Sequence, residues 1–184
     1  MNLPRELYNL VMEKLYYYID PETIKRAIQA NNRHTLETAL HFKAPAIYSS
    51  RNVIEATIEG NLELVKWFYA CAPDSENVTP MYWATHWGHL DIVKWLHRNG
   101  CTVRCNSHQF DSAIEGGHFE IVQWLHENCT AQVSTQAIDR AIANGRTDII
   151  KWLYEHSSGT RTIVTVRCMA NELVYKWLKK TYLG

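Results

Sequence analysis

The chain has no uninterrupted apolar stretch near the roughly 18 residues that a helix needs to cross a bilayer, so no membrane partner is expected. Its opening, Met1-Asn2-Leu3-Pro4-Arg5-Glu6, lacks the apolar centre of a signal peptide. The expected location is the cytoplasm, with the nucleus as the alternative. Net charge is missing too, because 19 Lys+Arg balance 19 Asp+Glu, and the basic residues are spread at regular intervals rather than clustered. Phosphate backbones require a concentrated basic surface; no nucleic-acid partner is expected. No Gly-x-Ser-x-Gly elbow, phosphate loop or His-Glu-x-x-His string occurs, so the expectation is a non-enzyme without a cofactor. Cysteines are few and odd in number (Cys71, Cys101, Cys105, Cys129 and Cys168), and without an export signal reduced thiols are expected.

What the chain does have is a period. The string [Val/Ile]-[Lys/Gln]-Trp-[Leu/Phe] recurs with Trp67, Trp95, Trp124 and Trp152 spaced 28, 29 and 28 residues apart. Seven residues before each tryptophan stands a glycine (Gly60, Gly88, Gly117, Gly145), and eleven before stands an alanine (Ala56, Ala84, Ala113, Ala141). Three columns repeating in phase indicate a solenoid, in which one helical pair cannot cover its own apolar face and needs the next copy.

Within a copy the residue order spells a helical hairpin. Thr79-Pro80 suits a hydroxyl N-cap followed by proline at the first helical position, where the missing N–H is no loss. The helix so begun runs to Trp87, and Gly88 supplies the left-handed residue that ends it. His89-Leu90-Asp91 opens a second helix that ends near Asn99-Gly100, and Glu63, Glu120 and Asp148 hold the slot of Asp91 at the positive end of the helix dipole. Four carboxylates in one slot argue for helix starts, not catalysis. Ser50, Ser107 and Thr135 are the expected N-caps of the other first helices. The small alanine lets helices approach closely, and the tryptophans are expected to wedge between copies as core.

The second copy, Thr79-Pro80-Met81-Tyr82-Trp83-Ala84 followed by Gly88-His89-Leu90-Asp91-Ile92-Val93, resembles the ankyrin consensus Thr-Pro-Leu-His-x-Ala with Gly-His-Leu-[Asp/Glu]-[Ile/Val]-Val. The third copy keeps Ala113 and Gly117-His118-Phe119-Glu120-Ile121-Val122 but has His108-Gln109 for Thr-Pro. The resemblance implies an all-α, ankyrin-type helical-hairpin solenoid with helical N- and C-terminal caps. Its expected parts are an N-terminal cap with a degenerate repeat (1–48), four repeats (49–157), and a degenerate fifth repeat or C-terminal cap (158–184) that holds Trp177. The period falls about five residues short of the family's 33, so the loops between repeats are expected to be short. Arrays of this short period with a Val-Lys-Trp-Leu core are similar to those of large DNA viruses and unicellular eukaryotes.

Members of that family are generally protein-binding scaffolds, so the resemblance implies a monomeric, non-catalytic interaction module. In such arrays the ends of the first helices line the concave face, which marks Ile58, Glu59, His86, Trp87, Glu115 and Asn144 as partner-binding residues. Trp87 lies outside the repeating tryptophan column and has the character of an interface anchor; the alternative is that it folds over its neighbour as core. At the N-terminus Leu3, Pro4, Leu7 and Val11 give a Leu-Pro-x-Glu-Leu start that resembles an F-box, which would dock on a Skp-type adaptor of a cullin ubiquitin ligase. A plain helical cap is the other reading, since proline and acid in the first turn make any good helix start. Asp20-Pro21-Glu22, Ala27 and Asn31 suggest a decayed repeat without its tryptophan. Cys101, Cys105 and His108, or His86 with His89, would be the residues of a zinc site, but a second cysteine pair is missing; no metal is expected.

Overall fold

Asp20 starts the first described helix by accepting the Thr23 amide on its carboxylate at 2.7 Å, and the same device, a short oxygen-bearing side chain on extended backbone, recurs at Ser49, Asn106 and Ser134. The computed structural model describes residues 19–41, 45–71, 80–99, 106–130, 133–156, 164, 175–177 and 179–183. In order these form α1 (Pro21–Gln29), α2 (Arg33–His41), a 3-10 turn (Pro45–Tyr48), α3 (Ser50–Ile58), α4 (Leu62–Cys71) and α5 (Pro80–Trp87). Then come α6 (Leu90–Arg98), α7 (Ser107–Gly116), α8 (Phe119–Asn128), α9 (Thr135–Ala143), α10 (Thr147–His156) and a π turn (Lys179–Leu183). Among the described residues there is no strand.

The helix starts fall one residue earlier than the sequence suggested at three sites. Ser49, Asn106 and Ser134 are the N-caps, and Ser50, Ser107 and Thr135 are already the first helical residues. Each pair offers two capping side chains, and the role goes to the one on extended backbone, with ψ of 128°, 179° and 155°. Asn106 forms a complete capping box with Gln109, whose side chain accepts the Asn106 amide at 2.9 Å. Pro80 does stand at the start of α5.

One turn recurs from hairpin to hairpin among the described residues, with a variant at Gly88, where the Gly88 and His89 amides both donate to Ala84 O at 3.1 and 2.9 Å. The Gly117 amide donates to Ile114 O at 3.1 Å and the His118 amide to Ala113 O at 2.9 Å, and Gly60 and Gly145 are closed by the same pair of bonds. This is a Schellman closure, and it needs a left-handed residue; Gly88, for example, has φ +84°. In the α1–α2 hairpin Asn31 takes that role at φ 49°, with Asn31 N to Ile28 O and Asn32 N to Ala27 O. Residues 20–41 are therefore a repeat with asparagine in place of glycine, the side chain best able to tolerate the left-handed region. The alanine column is the residue whose carbonyl receives the second bond, and all five alanines are buried.

The described residues fall into two compact units, 1–80 and 81–184. In the first, α1 packs on α2 and α3, and α3 on α4, around Ile24, Ile28, Leu36, Val53, Leu64 and Phe68. Asn52 is buried there and satisfied by donating to the carbonyls of Ala46 and Ile47 at 2.7 and 3.0 Å. In the second, first helices stack on first helices (α7 on α9) and second helices on second helices (α6 on α8, α8 on α10). Its core is the aliphatic trio repeated as Ile92, Val93 and Leu96, Ile121, Val122 and Leu125, then Ile149, Ile150 and Leu153, all fully buried.

The tryptophan column is not that core. Trp67, Trp95, Trp124 and Trp152 are half-buried, because at about 100° per residue the third residue after the isoleucine sits roughly 100° off the centre of the aliphatic stripe. Two of the rings, Trp124 and Trp152, lie instead on the seam between second helices of the second unit. Trp124 meets His97 of the preceding copy edge to face at 5.1 Å, and Trp152 meets His126 in the same way at 5.1 Å. Trp152 is further enclosed by Phe119 at 6.1 Å and by His156, stacked at 4.6 Å.

Candidate functional site

The sequence marks the ends of the first helices, and the structure places each of those residues there. Ile58 is the last residue of α3 and Glu59 follows it, half-buried and exposed respectively, in the first unit. In the second unit His86 and Trp87 end α5, Glu115 lies in the last turn of α7, and Asn144 is the exposed C-cap of α9. Trp87 is 51% exposed. A large apolar ring left in water at a helix end is a cost that folding alone does not require, which is why exposed aromatics mark contact surfaces.

Trp87 is the outer member of an aromatic group built on one helix. Tyr82 and His86 stand four apart and stack at 5.9 Å with rings 13° from parallel, Trp83 meets His86 edge-on at 6.4 Å, and Trp87 meets it edge-on at 5.8 Å. His86 is thus held by ring contacts on three sides. Its Nδ1 is buried and meets no hydrogen-bond partner among protein atoms, so the ring is kept there by stacking rather than by polar bonds.

One copy further along, Glu115 carries an ion pair with Arg140 of α9. The arginine side chain is 58% exposed and the glutamate 26%, so the pair is solvated and adds little stability. It presents a neutral, hydrogen-bonding patch, with the remaining guanidinium N–H groups as donors.

A second set of residues at these helix ends was not visible in the sequence as functional. The residue directly after the left-handed position reaches back to the turn of the preceding copy. Asn61 donates to the Asn31 side chain at 2.9 Å within the first unit. In the second unit His118 Nε2 bonds the His86 carbonyl at 2.8 Å, and Arg146 Nη2 donates to the Gly116 carbonyl at 3.2 Å. A carbonyl only accepts, so His118 carries its proton on Nε2. The signal available was the repetition of a polar residue, Asn61, His89, His118 or Arg146, after each glycine, together with the doubled glycine Gly116-Gly117.

A shallow cavity of about 290 Å³ opens beside this turn, lined by Gly88, Leu90, His118, Phe119, Glu120 and Ile121. Leu3, Pro4, Leu7 and Val11 lie outside the described residues, as do Cys101 and Cys105. His108 is exposed at the second position of α7, and no group of three or more metal-ligating side chains comes together among the described residues. Cys129 is disulfide-bonded, so the expectation of reduced thiols does not hold for it. No helix among the described residues is long and apolar enough to cross a membrane.

Hairpins of two short antiparallel helices closed by a left-handed turn, stacked like on like, define an all-α tandem-repeat protein of the interaction class. The family description "Ankyrin repeats (3 copies)" matches residues 15–107, and "Ankyrin repeats (many copies)" matches residues 110–154. The chain belongs to the ankyrin-repeat family. The first match takes in the α1–α2 hairpin, in keeping with its Asn31 closure. Comparison with curated proteins finds no match.

Proposed function

We propose that the protein is a non-catalytic binding module that holds a partner protein on the ends of its first helices, the concave face in arrays of this family, with Trp87 as the anchor. The observation that carries this reading is the half-exposed indole of Trp87, set at a helix end while the aliphatic trios of the second helices in the same unit are fully buried. In the sequence the residues at this position change from copy to copy (Ile58-Glu59, His86-Trp87, Glu115-Gly116, Ala143-Asn144) while the alanine, glycine and aliphatic columns stay constant. That division is how one scaffold presents a particular surface. A central aromatic with a polar, solvated rim is the usual anatomy of a protein interface.

A photo-crosslinking aromatic residue, which keeps an apolar ring at position 87, should give an adduct with a single partner protein in cell extract, and the same residue at Glu127, exposed on the second helix of the third copy, should not. Adducts at Glu127 with none at Trp87 would move the binding face to the other side of the hairpins.

A further inference from the structure

We propose that His118 is the positioning residue of the Trp87 site: a clasp from the third copy that holds the peptide plane on which Trp87 is carried. The proposal rests on the reading of Trp87 as the anchor. Three observations support it independently of that reading.

The first is the atom that His118 binds. The carbonyl of His86, 2.8 Å from His118 Nε2, belongs to the peptide bond that joins His86 to Trp87, so this bond restrains the plane from which the Trp87 side chain departs. Arg146, the matching residue one copy on, bonds the carbonyl of Gly116, which immediately precedes the left-handed glycine. Its grip is one residue later in register, past the position equivalent to Trp87's own amide.

The second is the space made for the ring. A Cβ on Gly88 would lie 2.6 Å from His118 Cε1 and Nδ1, and a Cβ on Gly116 would lie 2.5 Å from its Cδ2 and Nε2 and 2.9 Å from the His86 carbonyl oxygen. The imidazole is therefore sandwiched between two glycines. Gly88 needs a left-handed φ in any case, but Gly116 is a residue of α7 with ordinary helical backbone, where glycine is a poor choice unless space demands it. What demands it is His118.

The third is what His118 does not do. It stands at the N-cap of α8 yet makes no side-chain cap bond to its own helix. Its ring is committed to the neighbouring copy instead. An anchor held in its bound orientation before the encounter loses less freedom on binding, and that saving amounts to about three- to tenfold in affinity for one ordered aromatic side chain.

The test uses the full chain with 5-fluorotryptophan at all seven tryptophans, the Trp87 fluorine resonance being assigned by its loss in Trp87→Phe. In His118→Ala that resonance should shift and broaden and the Gly88 amide should exchange faster, while the Trp67 resonance stays in place. His118→Gln, which offers a donor nitrogen at nearly the same reach, should restore both readouts. Gly116→Ala keeps the histidine and a helical backbone and should reproduce the His118→Ala spectrum, which guards against a variant that simply fails to fold. The crosslinking yield at position 87 should fall about three- to tenfold in His118→Ala and recover in His118→Gln. An unchanged Trp87 resonance in both His118→Ala and Gly116→Ala would overturn the clasp, as would a His118→Gln protein that melts like wild type and yet shows the His118→Ala spectrum. If the spectra behave as expected but position 87 never crosslinks, the clasp stands and the binding reading falls.

Discussion

Tyr154 meets Trp177 edge to face, with centroids 5.8 Å apart and planes at 86°. This is the geometry by which Trp152 meets His126 and Trp124 meets His97, at 87° and 85°. In each case the ring two residues after one tryptophan receives the tryptophan of the next copy, so Trp177 occupies the column although no glycine precedes it at the usual distance. Lys151 adds a cation 5.5 Å from the Trp177 centroid. Such a pair contributes about 0.5–1.5 kcal/mol beyond the area it buries. A double-mutant cycle of Tyr154→Leu and Trp177→Leu, read by chemical denaturation, should return a coupling in that range; zero coupling would remove residue 177 from the ladder.

The aliphatic trio and the tryptophan seam should differ in cost. Leu125→Ala deletes a fully buried side chain and should destabilise by about 2–5 kcal/mol. Trp124→Ala removes a larger but half-exposed ring whose interaction with His97 is edge-on, and is expected to cost less than Leu125→Ala. Equilibrium unfolding of the two variants decides the order, and the reverse ranking would put the tryptophans back in the core.

Glycine replacements should separate backbone strain from crowding. Gly145→Ala meets nothing within 4 Å and suffers only its φ of +66°, so a loss of roughly 1–2 kcal/mol is expected. Gly117→Ala adds a Cβ at 2.4 Å from the Arg146 guanidinium carbon, and Gly88→Ala one at 2.6 Å from His118; both should cost more than Gly145→Ala. Asn31→Gly relieves a positive φ on a side-chain-bearing residue but removes the oxygen that accepts from Asn61; the two offset, and stability should change by no more than about 1 kcal/mol. Thermal melts of the four proteins order them directly.

Much of this architecture was legible in the residues, and the reason is repetition. Gly60, Gly88, Gly117 and Gly145 mark the turns because left-handed backbone closes the helix there, whereas Ala27 with Asn31 only suggested a decayed repeat, in a stretch where Asn31 takes the positive φ. The N-caps were misplaced by one residue because Ser49-Ser50, Asn106-Ser107 and Ser134-Thr135 each offer two suitable oxygens, and the choice is made by ψ, which sequence does not state. The tryptophans looked like core because they are the largest apolar residues in the period, but their angle to the Ile-Val-Leu stripe puts them on its flank. His118 was invisible as a clasp because its partner is a backbone carbonyl 32 residues away. Backbone acceptors leave no trace in composition.

Acid should loosen the first helix from its start. The Thr23 amide bonding to the Asp20 carboxylate holds that carboxyl below its usual range, and the bond with Lys66 does the same for Glu63. A carboxylate whose pKa is lowered on folding contributes stability that is fully present above its unfolded value and is lost as pH falls through the folded one. Amide protection factors in α1, corrected for the intrinsic pH dependence of exchange, should therefore fall as pH is lowered into and below the ordinary carboxylate range, and Asp20→Asn, which keeps a capping oxygen without the charge, should flatten that dependence. A profile unchanged by Asp20→Asn would assign the acid sensitivity to other groups.

Binding through the exposed indole is tested most directly by comparing wild type and Trp87→Ala in a single affinity titration against the crosslinked partner, with melting curves taken on the same samples. Truncating an interface anchor costs about 2 kcal/mol or more in binding, whereas removing an exposed side chain shifts stability by no more than about 0.5 kcal/mol. A complex at least roughly thirtyfold weaker, with an unchanged melt, is expected. Undiminished affinity in Trp87→Ala, or a melt that collapses with it, would show that the indole is not a binding anchor.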